Sequence, residues 1–364
     1  MSILHLRRNL HQLPNKQAEA LKGLPLLNEV KFVGNARERL KNLDFFYEDV
    51  NKKHIFYWIL DKGITIIGFI TVFLIFSLGT DRFLTPSNLI NIARQIPALG
   101  ILSIGMTYVI LTGNIDLSAG SAIALSGVFL ASFMEYANMG LTTSVIITCT
   151  IMAGIYGVIG VLIAYQNLPS FIVTVATLTA FRGLAFLYSN KPIYVRDPSL
   201  RELGRGSTAG IPNAFILMLI VYALFYFILS KTQFGKHVYA VGDNPEAARR
   251  FGVNVPKVTI LVFMLHGITV ALSSTIIAGR LSSGSPNAGS LMELDAIAAV
   301  VFGGTRFSGG KGSLIGTLLG VILLGMLNNG LNIMGVSSYH QMVVRGMIII
   351  LAVWLNYLRR FLER

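Results

Sequence analysis

Charge is scarce in this chain: only 13% of its 364 residues are Asp, Glu, Lys or Arg, about half the share of a soluble globular protein. That excludes a soluble enzyme. Cysteine is scarcer still. The single thiol, Cys149, lies inside an apolar run, which rules out an intrachain disulfide and a cysteine-rich metal site. A phosphate-binding loop is missing too. The nearest approach, FGGTRFSGGKGS at 302–313, has Gly312 after Lys311 instead of Ser or Thr, and Thr305 where the first glycine belongs. The chain is therefore expected not to hydrolyse ATP itself, and to hold no catalytic residue, metal or cofactor of its own.

What is present is apolar: 53% of the residues are hydrophobic, and 30 Lys and Arg against 17 Asp and Glu leave a net charge of +13. A nucleic-acid binder carries such an excess as a dense stripe. Here long stretches carry none, which points to a membrane and away from nucleic acid. The first thirty residues hold Arg7, Arg8 and Lys16 but no apolar core of signal-peptide length. Insertion is expected to proceed through the chain's own helices. A span needs roughly 20 mostly apolar residues to cross a core ~30 Å thick. Ten segments qualify as candidates: 59–79, 95–112, 117–134, 141–165, 168–188, 211–229, 258–278, 293–305, 313–334 and 340–358. The fold expected is all-α, a polytopic transmembrane bundle of about ten spanning segments. Segment 293–305, at 13 residues, is too short to cross alone and reads as a half-helix or re-entrant piece.

Three regions follow: a polar N-terminal extension over 1–58, a membrane domain over 59–358 and a basic tail over 359–364. Counting 293–305 as a crossing and placing the N-terminus inside puts 21 Lys and Arg on the inner side and seven on the outer. The positive-inside rule then makes both termini cytoplasmic. The extension is expected to lie on the inner leaflet, where its basic residues meet anionic lipid. The 36 glycines, concentrated in the spans, suit close helix packing.

The loop 230–257, SKTQFGKHVYAVGDNPEAARRFGVNVPK, reads as a short cytoplasmic helix. Asp243 or Asn244 can cap it, Pro245 suits its first position, Glu246 lies at the positive end of its dipole, and Gly252 suits a left-handed stop. Two glycine-rich breaks, 113–120 and 303–310, share the spacing Gly, Ser five on, Gly two further on. Asp116, in the first break, reads either as the N-cap of the third span or as a polar contact along a path. Arg182 and Arg345 lie within spans but near their outer ends, where a long side chain can snorkel or line a polar vestibule. His266, mid-span with no acidic residue in its own segment, reads as an interhelical hydrogen-bond partner. Asn328 and Asn332, one turn apart, share a helix face and serve either as helix glue or as contacts for a polar solute.

Glu246-Ala247-Ala248 followed by Gly252 resembles the first half of the EAA loop of ABC-transporter permeases, without its usual Ile-x-Leu-Pro ending. In order and spacing, TGNIDLSAGS (112–121), LPSFIVT (168–174), FRGLA (181–185), PNAG (286–289), ELDAIAAVVFGGTRFSGGKGS (293–313) and NNGLNIMGVSSYHQMVVRG (328–346) are similar to the permeases of ribose-type monosaccharide importers. The resemblance covers 80–358. It departs at Asn114, where the family more often has glycine, and at Ala119, where it often has valine. It implies a bacterial inner-membrane subunit importing a ribose-like pentose or related sugar. It also implies a second permease subunit, identical or related, a cytoplasmic subunit that binds the ATP, and a periplasmic sugar-binding protein. Gly235, Glu246, Ala247, Ala248 and Gly252 would then shape the contact with the ATPase. The two breaks would approach each other at the inner end of the pathway. Asn114, Asp116, Ser118, Asn328 and Asn332 would offer hydrogen bonds to sugar hydroxyls, Asp116 as the one exposed charge, with Arg182 and Arg345 in the periplasmic vestibule.

An ion-coupled secondary carrier is the competing expectation. It needs buried carboxylates, and the ten acidic residues after position 62 fall at helix ends or in loops by sequence. A membrane scaffold, the third possibility, leaves the two polar breaks without a purpose.

Overall fold

In lipid an apolar run can satisfy its backbone only within a helix, and the computed structural model of the chain is built accordingly. It describes residues 64–344 other than 167, together with 346–348, 350 and 354. The extension 1–58, about half of segment 340–358, including Arg345, and the tail 359–364 lie outside the described residues.

In chain order the helices are α1 (Ile64–Gly79), α2 (Pro86–Leu111), α3 (Ala119–Glu135), α4 (Leu141–Gln166), α5 (Ser170–Tyr188), α6 (Pro198–Arg205), α7 (Asn213–Lys231), α8 (Gln233–Asp243), α9 (Pro245–Arg250), α10 (Val255–Leu281), α11 (Met292–Phe302) and α12 (Leu314–Ile333). Residues 338–344 are helical as well. Among the described residues the strands are two short antiparallel ladders. One joins β1 (Ile193–Tyr194) to β4 (Ser283–Gly284), the other β2 (Ser207–Thr208) to β3 (Ile211–Pro212). Six helices, α2, α4, α5, α7, α10 and α12, are long and apolar enough to cross a membrane. The chain is thus an all-α, polytopic bundle.

Helix ends follow capping chemistry more closely than hydropathy. α2 begins nine residues before the apolar window at 95, because Thr85 accepts a hydrogen bond from the Asn88 amide at 3.4 Å and Pro86 takes the first position. The polar residues Asn88, Asn91, Arg94 and Gln95 hide this turn from a hydropathy reading. α10 likewise starts early, at Val255, with Asn254 accepting from the Lys257 amide at 3.0 Å. α11 has 11 residues and rises about 16 Å, half the hydrocarbon thickness. The segment expected over 293–305 is therefore a half-length helix.

α10 is the centre of the core, packed chiefly against α4 and α2. Bare backbone makes that possible: Gly267 of α10 sits on the Met152 carbonyl of α4, and Gly160 of α4 sits on the backbone of Ile260. α12 packs against α11, α2 and α1, and α5 against α3. α6 crosses the end of α10, with Gly204 and Gly279 in backbone contact.

Candidate functional site

The loop 230–257 contains two helices where one was expected. Thr232 caps α8 by accepting from the Gly235 amide at 3.3 Å. Asn244, not Asp243, caps α9 by accepting from the Ala247 amide at 2.9 Å. Pro245 follows at the first position, Glu246 lies in the first turn, and Gly252 ends the loop at φ +83°, a region glycine enters without steric cost. Gly235 and Ala248 are buried, Ala247 is half-buried, and Glu246 and Gly252 are exposed. The first pair fastens the loop to its own chain, and the exposed pair faces outward. Sequence reasoning passed over Phe251, which stands 88% exposed beside Arg249 and Arg250. The available signal was an aromatic residue in a charged loop outside any span.

The C-terminal end of α8 rests on the two glycine-rich breaks, which do meet. The Gly310 amide donates to the Leu111 carbonyl at 3.0 Å. A Cβ on Gly242 would overlap that same carbonyl. Gly309 and Gly310 both take left-handed φ values, +83° and +73°, and press on the Gly113 amide and the Asp243 backbone. Beside them the Tyr239 hydroxyl donates to the Gly312 carbonyl at 2.9 Å. Burial holds that hydroxyl above the ordinary tyrosine range, so it stays a donor.

From this junction residues 112–118 run without helix to the start of α3. Asn114 is half-buried and donates to Thr112 Oγ1 at 3.0 Å. Ile115 is tied to α5 twice: its amide donates to Ser170 Oγ at 3.1 Å, and Thr174 Oγ1 donates to its carbonyl at 3.3 Å. Asp116 is fully buried, so the expectation of an exposed charge is corrected. Its Oδ1 accepts from the Ser118 amide at 2.8 Å and the Ser118 hydroxyl at 2.6 Å. Its Oδ2 accepts from the Tyr156 hydroxyl at 2.9 Å and lies 2.9 Å from His266 Nε2. Nor is Asp116 the N-cap of α3. Ser118 holds that position without a side-chain cap bond, and Asp116 braces the turn before it. His266 is the twelfth of 27 residues in α10, and Tyr156 the sixteenth of 26 in α4. The cluster therefore sits at mid-span. His266 was expected to bond another helix; its partner is instead Asp116 of the non-helical segment 112–118, an acid that a search along its own span could not find.

At the far end of α2 a different polar contact occurs. Asn88 and Asn329 exchange two amide hydrogen bonds, of 2.8 and 2.9 Å, and Asn88 also donates to the Phe83 carbonyl at 2.8 Å. The sequence reading singled out Asn328 and Asn332 on α12 and passed over Asn329, the member of this buried pair. Asn332 is exposed and accepts from Gln341 Nε2 at 2.8 Å, and Asn328 is half-buried. Asn88 and Leu111 are 23 residues apart on one helix, about 35 Å. The Asn328 and Asn332 face is thus not brought to the Asn114, Asp116 and Ser118 break, although all had been assigned to one inner site. Arg182 is half-buried, and its Nη1 donates to the Pro286 and Ala288 carbonyls at 2.6 and 3.1 Å. It clamps the PNAG segment ahead of α11, whose Gly289 touches the Gly120 carbonyl at the start of α3.

Residues 88–353 match the family described as branched-chain amino acid transport system / permease component. The chain is 41% identical over 293 residues to the ribose import permease protein of Bacillus subtilis (strain 168), covering 80% of this chain and 91% of that protein. It is 40% identical over 301 residues to the ribose import permease protein of Escherichia coli (strain K12), covering 81% and 93%. It is 31% identical over 360 residues to the xylose transport system permease protein of the same strain, covering 82% and 92%. No solved structure matches the chain. On a match that spans most of its length and on relatives it covers almost end to end, the chain belongs to this family of transport-system permease components.

Proposed function

We propose that the chain is the membrane-spanning permease subunit of an ATP-driven importer of a monosaccharide, a ribose-like pentose or related sugar. Its likeness to ribose and xylose permeases supports the sugar class. The observation that carries the coupling to ATP is the backbone contact between α8 and the two breaks, centred on Gly242, Leu111 and Gly310. Through it a solvent-facing loop bears directly on irregular backbone inside the membrane domain, which is tolerated only where protein or a water-filled cavity satisfies it. ATP is bound by separate subunits that grip Glu246, Ala247 and Gly252, on a loop whose shape Gly235 and Ala248 maintain. A second permease subunit and a periplasmic sugar-binding protein complete the assembly. Uptake of a radiolabelled sugar panel by cells with and without the gene is the test. Saturable accumulation that follows cellular ATP is expected, and equal uptake of every sugar in both strains would sink the reading.

The remaining site residues are assigned to the pathway at two depths: Asn114, with Asp116 and Ser118 behind it, toward the inner end, and Asn328 and Asn332 toward the outer, near a vestibule edged by Arg182 and Arg345. Single cysteines at Asn114 and Asn332 in a Cys149→Ser background should react with water-soluble thiol reagents at rates that change with nucleotide. Absence of labelling in every state would remove them from the path. Ten crossings or their equivalents, with both termini cytoplasmic in a bacterial inner membrane, accord with the basic-residue split. A reporter fused after Arg364 and active only in the periplasm would refute that orientation.

One observation favours an ion-coupled carrier: the Asp116 carboxylate is buried at mid-span beside His266. Both its oxygens are already taken by protein groups, which favours a structural use. Uptake that collapses with the proton gradient while ATP is maintained would decide for the carrier.

A further inference from the structure

The segment 112–118 touches three different bodies at three points. At its lower end Leu111 and Gly113 bear on Gly242 of α8 and on Gly309 and Gly310. In its middle the Ile115 amide and carbonyl are bonded to Ser170 and Thr174 of α5. At its upper end Asp116 is held by Tyr156 of α4 and His266 of α10. Those two helices form the most closely packed pair in the bundle, through Gly160 and Gly267. α5 has the smallest buried share of the six long spans, 22% of its apolar window against 33% for α7 and 61% for α10, so within the chain it has the least to hold it in place.

From this arrangement we propose that Asp116 is a positioning residue: tied to Tyr156 and His266, it fixes one end of the 112–118 segment. A displacement of α8 is thereby delivered to α5 through Ile115 and not lost in the slack of an irregular loop. The proposal deepens the importer reading and rests on it for the direction of the signal. Its physical content is independent of cargo. A backbone segment of seven residues has many conformations, and pinning both ends removes most of them. The pin is strong because a carboxylate accepting several hydrogen bonds in a buried site is a charge-assisted network. The role is one of hydrogen bonding, so the group at position 266 needs a donor at Nε2 and not a titrating ring.

The test has two arms. In the first, amide hydrogen exchange is followed by mass spectrometry on the purified permease in lipid nanodiscs. His266→Leu and the milder Tyr156→Phe should each speed exchange across 113–118, by about tenfold and about threefold, and leave α12 unchanged. In the second, the permease is reconstituted with its ATPase and binding protein, and sugar taken up per ATP hydrolysed is measured. That ratio should fall about tenfold in His266→Leu and about threefold in Tyr156→Phe, with ATP hydrolysis itself retained. His266→Gln, whose amide can supply the donor, should stay within twofold of the parent. Unchanged exchange at 113–118 overturns the proposal, as does a parallel loss of uptake and hydrolysis at constant ratio. So does a Gln variant that behaves like Leu, which would make ionisation the requirement. A parent protein that takes up no sugar refutes the importer reading instead, and the exchange arm then decides the anchor by itself.

Discussion

The two ends of the 230–257 loop make contact in opposite ways. At the α8 end Gly242 lies against the Leu111 carbonyl and the Gly310 amide, backbone on backbone, with no room for a side chain. At the α9 end Gly252 has open space around it, Phe251 is 88% exposed, and Glu246, Arg249 and Arg250 face outward. A junction of bare backbone has no rotamers to adjust, so it passes on a displacement with little give. A tip of free side chains can adapt to a partner and supply the aromatic and Arg anchors on which interfaces depend. On the importer reading, one loop thus separates transmission from recognition by four to ten residues.

The sharpest way to break the comparison is Gly242→Val. Its branched side chain would have to occupy the Leu111 carbonyl, and the expected result is no uptake together with a severe drop in folded permease, read by size-exclusion chromatography of a fluorescent fusion. Folded, transporting protein at parental yield would show that the junction yields. Next come Glu246→Lys and Gly252→Val, which reverse a tip charge and force a branched residue into the left-handed region. Both should abolish uptake while membrane insertion stays intact; normal copurification with the ATPase and normal transport would remove the tip from the interface. Phe251→Ala tests the same face more gently. As an aromatic anchor it should cost about 2 kcal/mol of ATPase binding, roughly thirtyfold in affinity, with little loss of permease stability because the residue buries little in its own chain. A lowered melting temperature with unchanged affinity would reverse the assignment. The smallest effect is expected from Asn244→Ala, which removes the α9 cap for about 1 kcal/mol and should modestly weaken ATPase binding without touching the junction.

Much of this was legible in the sequence because it depends on local chemistry. The cap at Asn244, the proline after it and the left-handed Gly252 are short-range signals, and the apolar windows found all six long helices among the described residues. Hydropathy misjudged the start of α2 because a capped, polar first turn is invisible to it. The polar contacts in the bundle were the least legible. His266 was read as a hydrogen-bond partner of another helix, but the acid that pairs with it lies in a non-helical segment 150 residues away, and nothing in a single sequence marks that distance. The amide pair between α2 and α12 was hidden in the same way: Asn329, one residue along from Asn328 and about 100° around the helix, finds its partner, Asn88, 241 positions away. Grouping Asn328 and Asn332 with Asn114 failed for a simpler reason. Sequence motifs carry no depth, and α2 sets the two groups at opposite ends of its length.

The exchange of amide bonds between Asn88 and Asn329 also has a consequence in time. The two residues are 241 positions apart. A ribosome adds about 5 to 20 residues per second, so Asn88 emerges roughly 12 to 48 s before its partner exists. Throughout that interval α2 carries an amide into the bilayer with only the nearby Phe83 carbonyl to accept from it, and its own oxygen has no donor from α12. The early helix is thus incomplete until α12 arrives, and a chain cut short before residue 329 never acquires that closing contact.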